Sequence, residues 1–275
     1  MSPPSERPLV TSIDRPQQDS TAAPHLDDDV ETDLADLDEL EGGFDDAHED
    51  DLLLELVVLD LAGTTVSDDG VVEDAFRVAA ETIGIDTEDA LDAAIELVRD
   101  TMGQSKLDVF LMLTDGDEAR AASGNAAFEE AYERLVGEGR VEAIAGAEDT
   151  VRRLRELGVG VVFTTGFAPA TRDALLASLR WSELADDALS PADAGRGRPA
   201  PDLPLTALLR FGASAVDTMV VVGDTASDML SGVNAGAGLV VGVLTGAHDE
   251  ETLLEAGADE IITSIAELPA LLGLD

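Results

Sequence analysis

The stretch that most constrains this chain runs from Leu52 to Thr65: an apolar segment broken only by Glu55, ending on Asp60 and followed by Ala62-Gly63-Thr64-Thr65. A short run of Leu and Val bounded by turn residues reads as a parallel strand buried on both faces. Such a strand delivers Asp60 to its carboxyl end, where open parallel sheets bind their ligands. A carboxylate there is costly unless a cation or a cradle of hydrogen bonds holds it. Read alone, Asp60 also fits a simple turn starter that caps the next segment.

Further along, strand patterns recur at 160–165, 219–224 and 238–243, with a short segment around Ala188 and a weak strand at 260–262. Helical patterns separate them near 147–157, 169–180, 202–211 and 226–235, and one near 264–272 closes the chain. Regular alternation of this kind predicts an α/β fold, a doubly wound (Rossmann-like) parallel sheet. Between Val71 and about Gly139 the alternation stops, and four helical patterns follow one another at 71–83, 88–101, 105–113 and 117–136. The expected organisation is therefore a core of 52–66 and 140–275 with an all-helical insertion over 67–139.

Residues 1–51 carry 17 acidic and 2 basic side chains and few large apolar ones, so they are expected to be a disordered acidic tail, with a short helix near 30–41 where Leu34, Leu37 and Leu40 share a face. The remainder is also acidic, with 42 acidic against 14 basic residues, and the whole chain has a net charge of -43. That balance repels nucleic acid and anionic membranes. It fits adaptation to a salt-rich cytoplasm and equally a codon bias toward Arg, Asp and Ala. No cysteine is present, which excludes thiolate chemistry. With no apolar run of spanning length and no secretory pattern at Met1-Ser2-Pro3-Pro4, the expected location is cytoplasmic.

Lined up by strand ends, the polar residues make a pattern. Asp60 closes the first strand, Thr164 and Thr165 the second, and Asp224 with Asp228 follows the strand ending at Gly223. A stiff loop, Gly195-Arg196-Gly197-Arg198-Pro199-Ala200-Pro201, adds two cations. Sheet topology makes these groups converge on one crevice, and such carboxylates with backbone oxygens suit a hard divalent ion. Taken singly, Gly-Asp-Thr-x-x-Asp is also a good turn and helix cap.

Asp60-Leu61-Ala62-Gly63-Thr64-Thr65, the strand end at Thr165, Arg198 and Gly223-Asp224-Thr225-Ala226-Ser227-Asp228 resemble the four motifs of the haloacid dehalogenase superfamily over about 52–272. More narrowly, the chain is similar to the phosphonatase branch, phosphonoacetaldehyde hydrolase and its relatives. That similarity lies in Ala62, Thr164-Thr165-Gly166, Gly197-Arg198-Pro199-Ala200-Pro201 and Met102-Gly103-Gln104-Ser105-Lys106. The resemblance implies a hydrolase whose helical insertion is a cap and whose Asp60 attacks phosphorus to form an aspartyl phosphate. It implies Mg2+ held by Asp60, the Ala62 carbonyl and Asp224, with Asp228 a ligand or close behind. Thr165 and Gly166 are then phosphoryl contacts, Arg198 neutralises the phosphoryl oxygens, and Thr64, Met102 and Gly103 complete the substrate-binding set. The implied partners are a small phosphorylated or phosphonate substrate and a second copy of the chain, paired through the cap.

Two features bear on the leaving group. Most phosphatases of this superfamily carry a second Asp two residues after the nucleophile to protonate the departing alkoxide; here that position is Ala62, and loss of general acid help typically costs about 100- to 10,000-fold. Lys106 is the only lysine in 275 residues. Arginine cannot replace it in imine chemistry, and in phosphonatases the matching lysine forms a Schiff base with the substrate aldehyde, so that carbon leaves as an enamine. A noncovalent substrate contact or a helix-end role for Lys106 remains the other reading. The chain departs from the branch at Val109, Phe167 and about Gly70, where phosphonatases have His, Tyr and Cys. His25, His48 and His248 are expected to be poor replacements, two lying in the tail and the third in a late loop. A small-molecule phosphatase with a good leaving group, or a weakly active sensor of a phosphorylated ligand, are the alternative functions.

Overall fold

The structure is a computed structural model that describes residues 53–67 and 69–274. The expected tail and its short helix lie outside the described residues. Six parallel strands form one sheet in the order β3-β2-β1-β4-β5-β6. They are β1 (Leu56–Asp60), β2 (Gly160–Thr164), β3 (Asp187–Leu189), β4 (Met219–Gly223), β5 (Leu239–Val243) and β6 (Glu260–Ile262). The helices are α1 (Val71–Thr82), α2 (Glu88–Asp100), α3 (Lys106–Leu113), α4 (Glu118–Gly137), α5 (Ala147–Glu156), α6 (Pro169–Ser178), α7 (Pro191–Ala194), α8 (Asp202–Phe211), α9 (Ala226–Ala235), α10 (Glu250–Glu255) and α11 (Leu268–Leu271). This is the doubly wound α/β fold that the alternation predicts.

β1 shows why the run of Leu and Val forms a central strand. All five residues are buried, with Val57 and Leu59 in one apolar cluster and Leu56 and Val58 in another. Alternate side chains therefore feed the two layers of helices, as a strand covered on both faces requires. The chain winds outward from β1 through β2 to β3, then crosses back to β4 and winds the other way. The switch point lies between β1 and β4, and the register aligns Leu59 with both Phe163 and Val222, and Asp60 with Thr164.

The helices α1 to α4 leave and re-enter the core at one place, since Val66 bridges to Ala62 on one side and to Ala143 on the other. Within them α1 buries Val71, Val72, Ala75, Phe76 and Ala79, the spacing of one helical face. Phe76 packs on Phe110 at 5.0 Å and on Phe128 at 4.6 Å between ring centroids, so α1, α3 and α4 share an aromatic core.

Three local differences from the sequence reading have simple causes. α7 and α10 are short helices that periodicity cannot reveal, and their starts are set by Pro191 and by the Asp249 carboxylate, which accepts from the Thr252 amide. The single helix expected at 264–272 divides into a 3-10 turn, Ile265–Glu267, and α11, because Pro269 sits in the first turn of α11 and lacks an amide hydrogen.

Candidate active site

Asp60 ends β1 at the switch point with 5% of its surface exposed. One guanidinium organises its surroundings. Arg198 Nη1 lies 2.6 Å from Asp60 Oδ1 and 2.9 Å from Asp228 Oδ1, while Nη2 donates to Thr164 Oγ1 at 2.5 Å. Arg198 is itself buried, so its charge is balanced by two carboxylates rather than by water. Asp228 is the N3 residue of a capping box: its Oδ2 accepts from the Thr225 amide and hydroxyl, and its own amide reaches Thr225 Oγ1. The cap of α9 thus fixes the residue that fixes Arg198.

Asp224 follows β4 and is held by neutral donors, Thr64 Oγ1 at 3.1 Å and the Ala247 amide at 2.8 Å. Burial pushes the Asp60 carboxyl up to about 7, with Arg198 opposing and Asp228 reinforcing that shift. Asp224 is pushed well above the ordinary carboxylate range, first by burial and then by the negative charges of Asp60 and Asp228. Among the described residues no three His, Cys, Asp or Glu side chains form a metal-holding group. The donor set that remains is two carboxylates, Asp60 and Asp224, which line one cavity with Ala62. These are hard oxygen donors in a pocket where buried carboxylates outnumber the guanidinium that pairs them, and they fit a cation such as Mg2+, which keeps waters in the rest of its shell.

Opposite this floor stands Lys106, the first residue of α3, with 6% of its surface exposed. Its Nζ lies 5.5 Å from the ring centroid of Phe167 and 5.9 Å from that of Phe76, so the ammonium is held against aromatic faces. The insertion meets the core closely here. The Lys106 amide donates to the Gly166 carbonyl at 3.2 Å, and a Cβ on Gly166 would fall 2.2 Å from the Gln104 carbonyl oxygen. Gly103, at φ 81°, makes a similar approach to Thr225. Glycine is required at both positions by contact, and at Gly103 by conformation as well.

A cavity of about 820 Å3 lies between the two layers. Asp60, Ala62, Thr165, Arg198 and Asp224 line it from the core, and Met102, Gly103 and Lys106 from the insertion, with Gly166 between them. Thr64 and Asp228 stand behind this surface, on Asp224 and Arg198 respectively. Of the three positions that depart from the phosphonatase pattern, Gly70 and Phe167 line the cavity, and Val109 is buried in the apolar core.

Sequence reasoning missed three participants. The sequence pairs Thr164 with Thr165 at one strand end, and the structure shows it accepting from Arg198. Thr225 is part of the Gly-Asp-Thr motif in sequence, and the structure shows it setting Asp228. His248, which the sequence places in a late loop, lines the cavity: its amide donates to the Asp224 carbonyl at 3.2 Å and its Nδ1 accepts from the Ala226 amide at 2.8 Å. The usable signal was that residues 245–248 follow β5 directly, at the same carboxyl edge as Asp224.

A parallel sheet with a buried Asp at its switch point, a second Asp one strand away and a buried guanidinium paired with the first fits a hydrolase of the haloacid dehalogenase type. The family model for haloacid dehalogenase-like hydrolases matches residues 54–236, and the chain belongs to that family. Members of the family generally use a metal ion. The chain is 29% identical to a phosphonoacetaldehyde hydrolase of Parabacteroides distasonis, over 46% of this chain and 57% of the relative. It is 32% identical to the same-named enzyme of Bacteroides fragilis, over 48% and 59%. With those two relatives it shares somewhat over half their length. With the phosphonoacetaldehyde hydrolase of Bacillus cereus strain B4264 it is 29% identical over 71% of this chain and 78% of the relative. Among solved structures, a hydrolase from Pseudomonas syringae superposes with a TM-score of 0.71 at 24% identity, covering 80% of this chain and 98% of that one. A phosphonoacetaldehyde hydrolase-like protein from Oleispira antarctica gives 0.68 at 23%, covering 80% and 91%. Both show the same fold. Among the described residues no helix is long and apolar enough to cross a membrane.

Proposed function

We propose that this chain is a cytoplasmic, Mg2+-dependent phosphonatase-like hydrolase that cleaves a small phosphonate such as phosphonoacetaldehyde through an aspartyl phosphate, with residues 67–139 as its cap. The observation that carries this reading is the pairing of Lys106 with Ala62: the only lysine of the chain faces the same cavity as Asp60, and the position that would hold a general acid has none. The names of the relatives support the substrate class.

In this reading Lys106 Nζ condenses with the substrate aldehyde and releases water. Asp60 then attacks phosphorus, the carbon–phosphorus bond breaks, and its electron pair moves into the iminium to leave an enamine. Protonation at carbon and hydrolysis of the imine return acetaldehyde and Lys106, while water cleaves the aspartyl phosphate to orthophosphate. No alkoxide departs, so Ala62 needs no acid. Aromatic walls at Phe76 and Phe167 exclude water from Lys106, and Arg198 holds the Asp60 carboxylate and balances charge beside the phosphoryl group. Thr165 and Gly166 orient phosphoryl oxygens. Bound to Asp60, Asp224 and the Ala62 carbonyl, Mg2+ would neutralise phosphoryl charge. Turnover of phosphonoacetaldehyde to equimolar acetaldehyde and orthophosphate, dependent on added Mg2+, is the expected result. Phosphate release confined to acyl phosphates and activated esters would instead favour the small-molecule phosphatase, a reading that Ala62 by itself also fits.

A further inference from the structure

His248 has no part in the mechanism above, yet its surroundings specify what its ring can do. The residue sits in the loop between β5 and α10, which is tied to the site at several points. Thr245 Oγ1 donates to the Gly63 carbonyl at 2.7 Å, the Ala247 amide donates to Asp224 Oδ2, and the His248 amide donates to the Asp224 carbonyl. The loop therefore lies against Gly63, the neighbour of Ala62. On the ring, Nδ1 accepts the Ala226 amide of α9 at 2.8 Å. An imidazole that accepts at Nδ1 carries its hydrogen on Nε2. Nε2 makes no hydrogen bond among the described residues, and His248 lines the cavity together with Asp60 and Ala62.

We infer that His248 is a specificity residue whose Nε2 hydrogen binds an oxygen on the organic part of the substrate, a carbonyl or carboxylate oxygen rather than one of the phosphoryl oxygens. Arg198 and Lys106 are the buried cations of the cavity, and His248, fixed through its ring Nδ1 and its amide, adds a neutral donor to a wall that also carries Ser67, Thr225 and Thr245. The inference rests on the reading of the cavity as the substrate site. It does not depend on the imine.

The test is binding of phosphonoacetate and ethylphosphonate to the full chain by calorimetry. The two probes share the phosphonate and a two-carbon unit, and only the first offers the extra oxygens. The preference for phosphonoacetate should fall about tenfold in His248→Asn, whose Oδ1 keeps the Ala226 amide satisfied but which has no donor at the Nε2 position. His248→Gln, which restores a donor near the Nε2 position but gives up the Ala226 contact, should regain most of the preference while melting at a lower temperature than His248→Asn. An unchanged preference in His248→Asn, or a loss that follows melting temperature across the two variants, would overturn the inference. So would equal weakening of both probes, since that would place His248 on the phosphonate itself. If the preference behaves as expected but phosphonoacetaldehyde is not hydrolysed, the substrate reading fails and this one stands.

Discussion

Two buried cations face each other across the cavity, and they are held in opposite ways. Arg198, on the core side, is locked between two carboxylates and a threonine hydroxyl, all within 2.9 Å. Lys106, on the insertion side, lies against two aromatic rings at 5.5 and 5.9 Å. A guanidinium in a multidentate cradle is a fixed charge that neither moves nor gives up a proton. An ammonium over aromatic faces is held at the end of a flexible stem and carries a primary amine, a group that a guanidinium cannot supply. The core half of the site thus presents a fixed, ion-paired charge and the insertion half a primary amine.

The largest effect that tests this contrast is expected at Asp60. Asp60→Asn should lower kcat by at least about a thousandfold on every substrate, because both kinds of leaving group depend on it. Retention of more than about one percent of activity in steady-state assays would remove the covalent step.

Lys106→Arg should separate the halves. It keeps the charge and loses the amine, so turnover of phosphonoacetaldehyde should fall about a thousandfold, whereas hydrolysis of p-nitrophenyl phosphate should fall less than about tenfold. Parallel losses on both substrates would mean that Lys106 acts only as a charge.

Asp228→Asn breaks the cradle on the core side. Removing one partner of a buried ion pair costs about 3–5 kcal/mol, so denaturant titration should show a stability loss of that order. A loss below about 1 kcal/mol would show that Arg198 does not need Asp228. Smaller still, Ala62→Asp should raise hydrolysis of alkyl phosphate esters about tenfold if a general acid is all that such substrates lack, and should slow phosphonoacetaldehyde turnover by adding negative charge beside the phosphoryl group.

The mildest prediction concerns pH. Asp60 titrates near 7 in the folded metal-free protein and Asp224 well above the ordinary range, both raised chiefly by burial. The folded state then holds more protons than the unfolded one above about pH 4, so with chelator present stability should decline as pH rises from about 4 to about 7. Added Mg2+ should raise the melting temperature, and by more at pH 7.5 than at pH 5. An equal rise at both values would show that the metal does not bind through these carboxylates.

The contrast between the two halves also marks what was legible in the sequence. β1, β2 and β4 announce themselves through dense Val and Leu runs, and the residues at or just past their ends, Asp60, Thr165 and Asp224, follow by topology alone. Lys106 stood out by composition, because every other basic residue is Arg or His. What could not be read was contact between distant segments. Nothing near Thr164 signals that it meets Arg198, 34 residues later, and nothing near residue 248 shows that its loop folds back onto Asp224. In sequence Asp228 stands beside Asp224 in one carboxylate group; in the structure it caps α9 and holds Arg198, a role that depends on the relative placement of helix and loop.

The most direct measurement is reductive trapping. Incubation with phosphonoacetaldehyde and borohydride should inactivate the enzyme, and peptide mass analysis should find the added mass on Lys106, with no other side-chain amine in the chain to compete. Full activity after that treatment, with Lys106 unmodified while phosphonoacetaldehyde is still hydrolysed, would contradict the amine role of the insertion half.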